Sequence, residues 1–287
     1  NSKLQVVTSA NFLYEFSQNI GKEMIDVTLL VPMGADPHDW EPTIRDTERL
    51  QEANMIIVNG IGYEHWLNSL EITDIPGILV DTSNGISILD SAKYDEEKHD
   101  DHTKEDGHDD EDKHDEHNHG ALDPHIWLNP VFAQLQVKNI ANALSNSDPT
   151  NKNYYQSNAA IYNQELNLLD TKIRTELSGC KTDFITFHDA FSYFSEEYGL
   201  TQHTIISSID SHGEVTPKTL ENIISLAREL NIKIIFAEES TSIKTSQVIA
   251  DEIGGKVLVL SPLEIVSDET YVEKMTQNLE NLKDTLC

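Results

Sequence analysis

Residues 148–179 read DPTNKNYYQSNAAIYNQELNLLDTKIRTELSG, and their apolar side chains recur at the spacing of one helix face. Asp148-Pro149 is typical of a helix start, and Ser178-Gly179 is typical of its end. Roughly thirty residues at about 1.5 Å each make a helix of about 45 Å, longer than most helices of globular proteins. The apolar face consists of Tyr155, Ala159, Tyr162, Leu166, Leu169, Ile173 and Leu177. We therefore predict a rigid connecting helix in the middle of the chain.

On both sides of this helix, strand-like segments rich in β-branched residues alternate with helical patterns. The N-terminal strand candidates are LQVVTSA, VTLLVP, MIIVNG and GILVDT, with helices at about residues 11–21 and 43–53 and from Asn129-Pro130 onward. The C-terminal strand candidates are DFITFH, TQHTIISSI, IKIIFAEES and KVLVLSP, with helices in AFSYFSEEYG and TPKTLENIISLAREL, near residues 243–253, and from about Thr270.

This alternation predicts an α/β fold of two lobes with mainly parallel sheets, joined by the long helix. We assign residues 1–147 to an N-terminal lobe, 148–178 to the linking helix and 179–287 to a C-terminal lobe.

The composition restricts the partners of the protein. The chain has 287 residues, 38% of them hydrophobic, and a formal net charge of −30. No apolar run approaches the roughly 18–20 residues that cross a bilayer. Nucleic-acid binding is disfavoured, because phosphate contacts need clustered Lys and Arg. A field this acidic favours cations as ligands.

Two cysteines, Cys180 and Cys287, are too few for a disulfide framework and lack the close spacing of a thiolate zinc site. One reading is a single disulfide that closes a loop of about 100 residues. The other is a pair of unrelated thiols, one of them at the C-terminus. The sequence leaves both readings open.

Two pentapeptides repeat one pattern, DPHDW at residues 36–40 and DPHIW at residues 123–127. In each, a histidine follows a proline that fixes the backbone and precedes, by two residues, a tryptophan that can anchor the loop. A third histidine, His188, ends DFITFH, and His38 follows VTLLVP. Ligands of open α/β sheets collect beyond the carboxyl ends of the strands. We therefore expect His38, His125 and His188 to form a metal site in the cleft between the lobes.

The plain alternative for any one of these histidines is a hydrogen-bonded loop residue, but the repeated motif favours the metal site. Neutral imidazoles suit zinc, as well as copper, iron and nickel, better than magnesium or calcium. His65, His203 and His212 have no such context and are interpreted as structural or surface residues.

Residues 98–120 read KHDDHTKEDGHDDEDKHDEHNHG and hold six of the twelve histidines. From residue 95 to residue 120 there is no large apolar side chain, so ordering would cost about 1–2 kcal/mol per residue with almost nothing to offset it. We predict a disordered loop that collects cations weakly beside the cleft. A loop that only solvates the protein is the alternative.

The chain resembles the metal-binding solute-binding proteins of ABC importers, the ZnuA-like and TroA-like group. The resemblance covers nearly the whole chain and rests on the long helix and, in order, on GADPHDWEPTIRD, MIIVNGIGYEHWL, DPHIWLNP, FHDAFSYF, FAEES and LSPLE. It implies that His38, His125 and His188 bind the metal between two lobes and that the long helix limits hinge motion.

The fourth ligand is left open by this resemblance. Many members of the family carry an aspartate at the position of Ser261, and this chain departs from them there. Water, Glu238, Glu239 or a histidine of residues 95–120 could take that place.

The resemblance further implies an extracytoplasmic, high-affinity zinc receptor that delivers its metal to an ABC permease. Three imidazoles with a His-rich insertion favour Zn²⁺ over Mn²⁺, because manganese-selective members tend to replace a histidine with a carboxylate. The implied protein is a monomer and not an enzyme. Since the sequence begins at Asn1 without a methionine, we expect that an N-terminal anchoring segment has been removed.

Two other functions stay open at this stage. Three histidines and a water also make a catalytic zinc site, although HExxH and comparable signatures are absent from the sequence. A metal-buffering or adhesion protein of the cell surface, without transport, is the second.

Overall fold

In the computed structural model, which describes residues 3–32, 35, 39–70, 75–89, 122–206, 215–239 and 243–287, the chain forms two α/β lobes. The N-terminal sheet contains β1 (Leu4–Thr8), β2 (Ile25–Leu29), β3 (Met55–Val58) and β4 (Ile78–Asp81). Its order is β2-β1-β3-β4 and all neighbours are parallel. Its helices are α1 (Asn11–Gly21), α2 (Ile44–Glu52) and α3 (Pro130–Ser147).

The C-terminal sheet repeats this topology. Its strands are β5 (Asp183–Thr186), β6 (Thr201–Thr204), β7 (Ile234–Ala237) and β8 (Lys256–Val259), in the parallel order β6-β5-β7-β8. Its helices are α5 (Ser192–Tyr198), α6 (Pro217–Glu229), α7 (Ile243–Ile253) and α8 (Tyr271–Leu286). The predicted α/β class with two parallel-sheet lobes is confirmed.

Three predicted helix starts are confirmed by their caps. The Thr43 hydroxyl accepts from the Asp46 N–H before α2, and the Thr270 hydroxyl accepts from the Glu273 N–H before α8. The Asn129 side chain accepts from the Val131 N–H at 2.9 Å, and Pro130 is the first residue of α3. Caps of this kind typically stabilise a helix by about 1 kcal/mol.

The long connecting helix is α4 (Lys152–Leu177), which has 26 residues. It is preceded by a 3₁₀ turn, Pro149–Asn151, so the predicted helix begins with a tighter turn at its proline. All seven residues of the predicted apolar face are buried. One hydrophobic cluster contains Phe16 of α1, Leu166 of α4 and Leu279 of α8, so the connector is packed into both lobes. Although α4 is long, neither it nor any other helix of the described ranges has an apolar stretch fit to span a bilayer.

Cys180 and Cys287 form a disulfide, which decides between the two readings of the cysteine pair. It joins the segment before β5 to the residue after α8. Beside it, the Lys181 N–H donates to the Leu286 carbonyl oxygen at 2.9 Å. The domain boundaries after residues 147 and 178 stay a prediction.

Candidate metal centre

The centre lies at the carboxyl ends of the two inner strands of the C-terminal sheet. β5 ends at Thr186, two residues before His188, and β7 ends at Ala237, one residue before Glu238. In the order β6-β5-β7-β8 these two strands are neighbours. From β5 the chain continues to β6 on one side of the pair, and from β7 it continues to β8 on the other side. Such a switch point is where open α/β sheets bind ligands.

His125 comes from the other lobe, in the loop that leads to α3. The Asp123 Oδ1 atom accepts from the His125 backbone N–H at 2.9 Å and lies 2.7 Å from its Nδ1. The Asn59 side chain donates to the Pro124 carbonyl oxygen at 2.9 Å, which fixes the loop to the end of β3. Trp127 is fully buried, as the pentapeptide pattern predicted. The carboxylate of Asp123 therefore fixes the ring of His125, and the contacts of Pro124 and Trp127 fix the loop before and after it.

His188 is held in a similar way. Its Nδ1 contacts a carboxylate oxygen of Glu238, and both residues are buried. Its carbonyl oxygen accepts from the Thr186 hydroxyl at 3.0 Å and from the Gln202 amide at 3.1 Å. With Nδ1 of each imidazole engaged by a carboxylate, Nε2 is the nitrogen that each ring can offer to a metal.

Glu264 completes a cluster that the sequence analysis did not predict. Ligand atoms of His125, His188 and Glu264 all lie within 4.8 Å of one another. The His125 Nε2 atom is 3.5 Å from the Glu264 Oε1 atom, and the two imidazole centroids are 5.4 Å apart. Both rings are buried and Glu264 is 9% exposed. The sequence signal that could have identified Glu264 is its position just beyond the strand candidate KVLVLSP. The carboxyl end of this strand lies at the same edge of the sheet as the ends of β5 and β7.

Glu264 is carried by a loop that Asn278 of α8 holds in place. The Asn278 Oδ1 accepts from the Ser261 N–H at 2.8 Å, and its Nδ2 donates to the Ser261 carbonyl oxygen at 2.7 Å. The Ser261 hydroxyl accepts from the Leu263 N–H at 3.1 Å. Leu263 has a φ of 61°, a left-handed conformation that costs a non-glycine residue about 1–2 kcal/mol. Ser261 therefore shapes the loop from which Glu264 projects.

The two glutamates considered for the fourth position have different contacts. Glu238 lies against the Nδ1 of His188. The Glu239 Oε1 atom is 3.0 Å from the Lys274 Nζ atom, and Lys274 is buried. Glu239 therefore balances a buried ammonium group.

The other two histidines of the described ranges lie against carboxylates outside the cluster. The His203 Nε2 atom is 2.8 Å from an Asp183 carboxylate oxygen, and the His65 Nε2 atom is 3.3 Å from one of Glu41. His38, His212 and the predicted loop at residues 95–120 lie outside the described residues.

The electrostatics of the centre favour a cation. Burial by itself lowers the pKa of His125, but the hydrogen bond and charge of Asp123, together with Glu264, outweigh burial and raise that pKa to about 10. Burial raises the pKa of Asp189, and the negative charge of Asp123 adds to this rise. In the metal-free protein, a proton on His125 compensates part of the negative charge that a metal ion would otherwise balance.

Two imidazoles and one carboxylate form a donor set that suits zinc and other borderline divalent ions. A carboxylate behind each imidazole fixes the orientation of the ring and the nitrogen that it presents. The arrangement can therefore bind a divalent cation in exchange for a proton.

Comparison with known proteins shows the family to which the chain belongs. The family model described as "Zinc-uptake complex component A periplasmic" matches residues 6–285. The chain is 41% identical over 293 residues to the high-affinity zinc uptake system protein ZnuA of Bacillus subtilis, covering 99% of this chain and 88% of that protein.

Two solved structures share the fold. The metal-dependent lipoprotein YcdH from Bacillus subtilis matches with a TM-score of 0.80 and 36% identity over 99% of both chains. Zn(II)-bound AdcA from Streptococcus pneumoniae matches with a TM-score of 0.80 and 28% identity over 99% of this chain, which spans only 58% of that longer one. Since one family model covers nearly the whole chain and a relative is 41% identical, the chain belongs to the ZnuA family of zinc-uptake components.

Proposed function

We propose that this protein is an extracytoplasmic receptor that binds Zn²⁺ with high affinity and delivers it to the permease of an ABC importer. The observation that carries the proposal is the buried cluster of His125, His188 and Glu264, to which both lobes contribute. The name of the family and the zinc-bound relative from Streptococcus pneumoniae support zinc as the cargo.

In the proposed site, His38 joins His125, His188 and Glu264 as a fourth ligand. Its pentapeptide repeats the one that presents His125, which is the reason to include it. Four ligands are the number that tetrahedral zinc prefers.

Glu264 adds one oxygen donor to the all-imidazole set from which zinc was predicted. Three nitrogens and one oxygen still form a site in which imidazole dominates, and this favours Zn²⁺ over the harder Mn²⁺.

The proposed protein is a carrier and not an enzyme. A zinc hydrolase needs an open ligand position and a glutamate placed as a base towards the bound water. In the described part of the cluster, Glu264 is close enough to act as a ligand, and Glu238 is engaged by His188. We further propose that the receptor is a monomer and, because a similar protein from Bacillus subtilis is named a metal-dependent lipoprotein, that it is anchored to the membrane.

Competition titration with a zinc chelator tests the site. We expect His125→Ala, His188→Ala and Glu264→Ala each to weaken zinc binding by more than the roughly 10–100-fold that outer-sphere partners contribute. His203→Ala is the matched control, because His203 pairs with Asp183 outside the cluster. Wild-type affinity in all three ligand variants would contradict the assignment.

The same titration separates a receptor from a metal buffer. A receptor has one dominant tight site, whereas a buffer binds many ions weakly. We expect deletion of residues 95–120 to remove weak zinc equivalents and to leave the tight site in place. Loss of the tight site on deletion would show that the His-rich run supplies a primary ligand.

A further inference from the structure

The pentapeptide that presents His125, residues 123–127, is held at both ends by tyrosines of the other lobe. The Tyr193 hydroxyl of α5 donates to the Asp123 carbonyl oxygen at 2.7 Å. The Tyr271 hydroxyl, at the first residue of α8, donates to the Trp127 carbonyl oxygen at 2.6 Å. These two tyrosines therefore bracket the segment in which His125 is the central residue.

Both tyrosines are embedded among side chains of the N-terminal lobe. Tyr193 is 1% exposed and belongs to a hydrophobic cluster with Ile86 and Ile126, and its hydroxyl also accepts from the Leu89 N–H at 3.1 Å. Tyr271 is 2% exposed, and its ring centroid is 5.3 Å from that of Phe16 in α1. Because both side chains are buried, water can take over the hydrogen bond of neither hydroxyl unless the packing around it opens.

A third hydrogen bond joins the two loops that carry ligands. The Trp127 Nε1–H donates to the Pro262 carbonyl oxygen at 2.8 Å. Trp127 lies two residues after His125, and Pro262 lies two residues before Glu264. Because the intervening chain is so short, a shift at this bond moves the two ligands relative to each other, and they are now 3.5 Å apart.

We propose that Tyr193 and Tyr271 are positioning residues that hold residues 123–127 against the C-terminal lobe and so keep His125 in register with His188 and Glu264. This inference rests on the proposed zinc site. It implies that three of the four proposed ligands form one preorganised unit, although His125 belongs by sequence to the N-terminal lobe. Preorganisation increases affinity by lowering the cost of ordering the ligands on binding.

A purely structural role for the two hydroxyls predicts something different. In that case Tyr→Phe variants lose thermal stability, as any buried hydrogen-bonded tyrosine would, but their zinc affinity is unchanged. Tyr155→Phe is the matched control. Tyr155 is fully buried, and its hydroxyl donates to an Asp148 carboxylate oxygen at 2.8 Å, in the turn that leads into α4.

The experiment uses the full chain and compares wild type with Y193F, Y271F, the double variant and Y155F. We expect Y193F and Y271F each to weaken zinc binding about three- to tenfold, and the double variant to weaken it further, whereas Y155F binds as wild type does. Loaded with Co²⁺ as a spectroscopic substitute for zinc, Y193F and Y271F should show altered visible bands, and Y155F should not.

Wild-type zinc affinity and cobalt spectrum in the double variant would overturn the inference, and so would an equal loss of affinity in Y155F. If Y271F fails to fold, Y193F decides the question by the same two measurements. A wild-type protein without a tight zinc site would instead overturn the proposed function, because the inference depends on ratios to wild type.

Discussion

At the residue scale, the proton on His125 makes metal binding depend on pH. The raised pKa of about 10 means that metal-free His125 is protonated near neutrality, whereas zinc needs the neutral imidazole. We expect zinc affinity to rise about tenfold per pH unit between about pH 6 and 8, as one proton is released. Calorimetry in buffers of different ionisation enthalpy measures that proton. Affinity that is flat over this range would contradict the assigned role of His125.

The same proton affects the stability of the metal-free fold in the opposite direction. Zinc affinity rises with pH, whereas the stabilisation by this proton falls. Because the pKa of His125 is higher in the folded protein than the unfolded value of about 6.5, its proton stabilises the metal-free fold fully below that value. This contribution is lost as the pH rises towards about 10. Zinc-loaded protein does not have this contribution, since the metal replaces the proton.

Glu238 and its neighbour Glu239 offer a matched pair of substitutions. Glu238→Gln keeps the shape of the contact with His188 Nδ1 but removes its charge, so we expect zinc affinity to fall about 10–100-fold. Glu239→Gln weakens the balance of the buried Lys274 ammonium, so it should lower the free energy of unfolding and leave affinity near that of wild type. Chelator competition and urea denaturation of both variants check the two effects. Equal affinities in the two variants would show that Glu238 does not support His188.

At the element scale, the connecting helix restricts the motion of the lobes. α4 packs on α1 and α3 at one end and on α8 at the other, within one continuous cluster. A helix packed in this way resists the large hinge opening that loop crossovers allow. We expect small-angle scattering to give nearly the same radius of gyration for the metal-free and zinc-loaded protein. A clear decrease on loading would indicate a hinged clamp.

The elements themselves could be predicted from sequence because their signals are local. The apolar face of α4 repeats at helical spacing, and Asn129-Pro130 carries both a cap and a first-turn proline. The residue at which α4 begins was harder to predict, because Pro149 fits the first position of an α-helix as well as the first position of a 3₁₀ turn.

The position of Glu264 could not be predicted in this way. Its loop depends on Asn278, which lies 17 residues beyond Ser261 and belongs to α8. It also depends on the bond between Trp127 and Pro262, which are 135 residues apart in the chain. Contacts over such separations leave no periodic signal in a single sequence. Ser261 drew attention only because many members of the family carry an aspartate at its position, and the carboxylate three residues later did not.

At the scale of the whole molecule, the disulfide ties the start of the C-terminal lobe to the end of the chain. Cys180 and Cys287 are 107 residues apart, so in the chain-entropy model the bridge stabilises the fold by up to about 4–5 kcal/mol. We expect Cys180→Ser with Cys287→Ser to lower the free energy of unfolding by a few kcal/mol and to leave zinc affinity nearly unchanged. Urea denaturation with and without a reductant measures the first effect. Unaltered stability in the double variant would mean that the bridge adds nothing beyond the packing of α8.

The proposed receptor holds one zinc ion between ligands from both lobes. X-ray absorption at the zinc K-edge, on full-length protein loaded with one equivalent in the presence of a weak chelator, tests it most directly. We expect three imidazoles and one carboxylate, with Zn–N distances of about 2.0–2.1 Å. A shell of four or more imidazoles would mean that a further histidine, such as one of residues 95–120, binds the zinc in place of Glu264, and a shell of oxygens alone would exclude His125 and His188 as ligands.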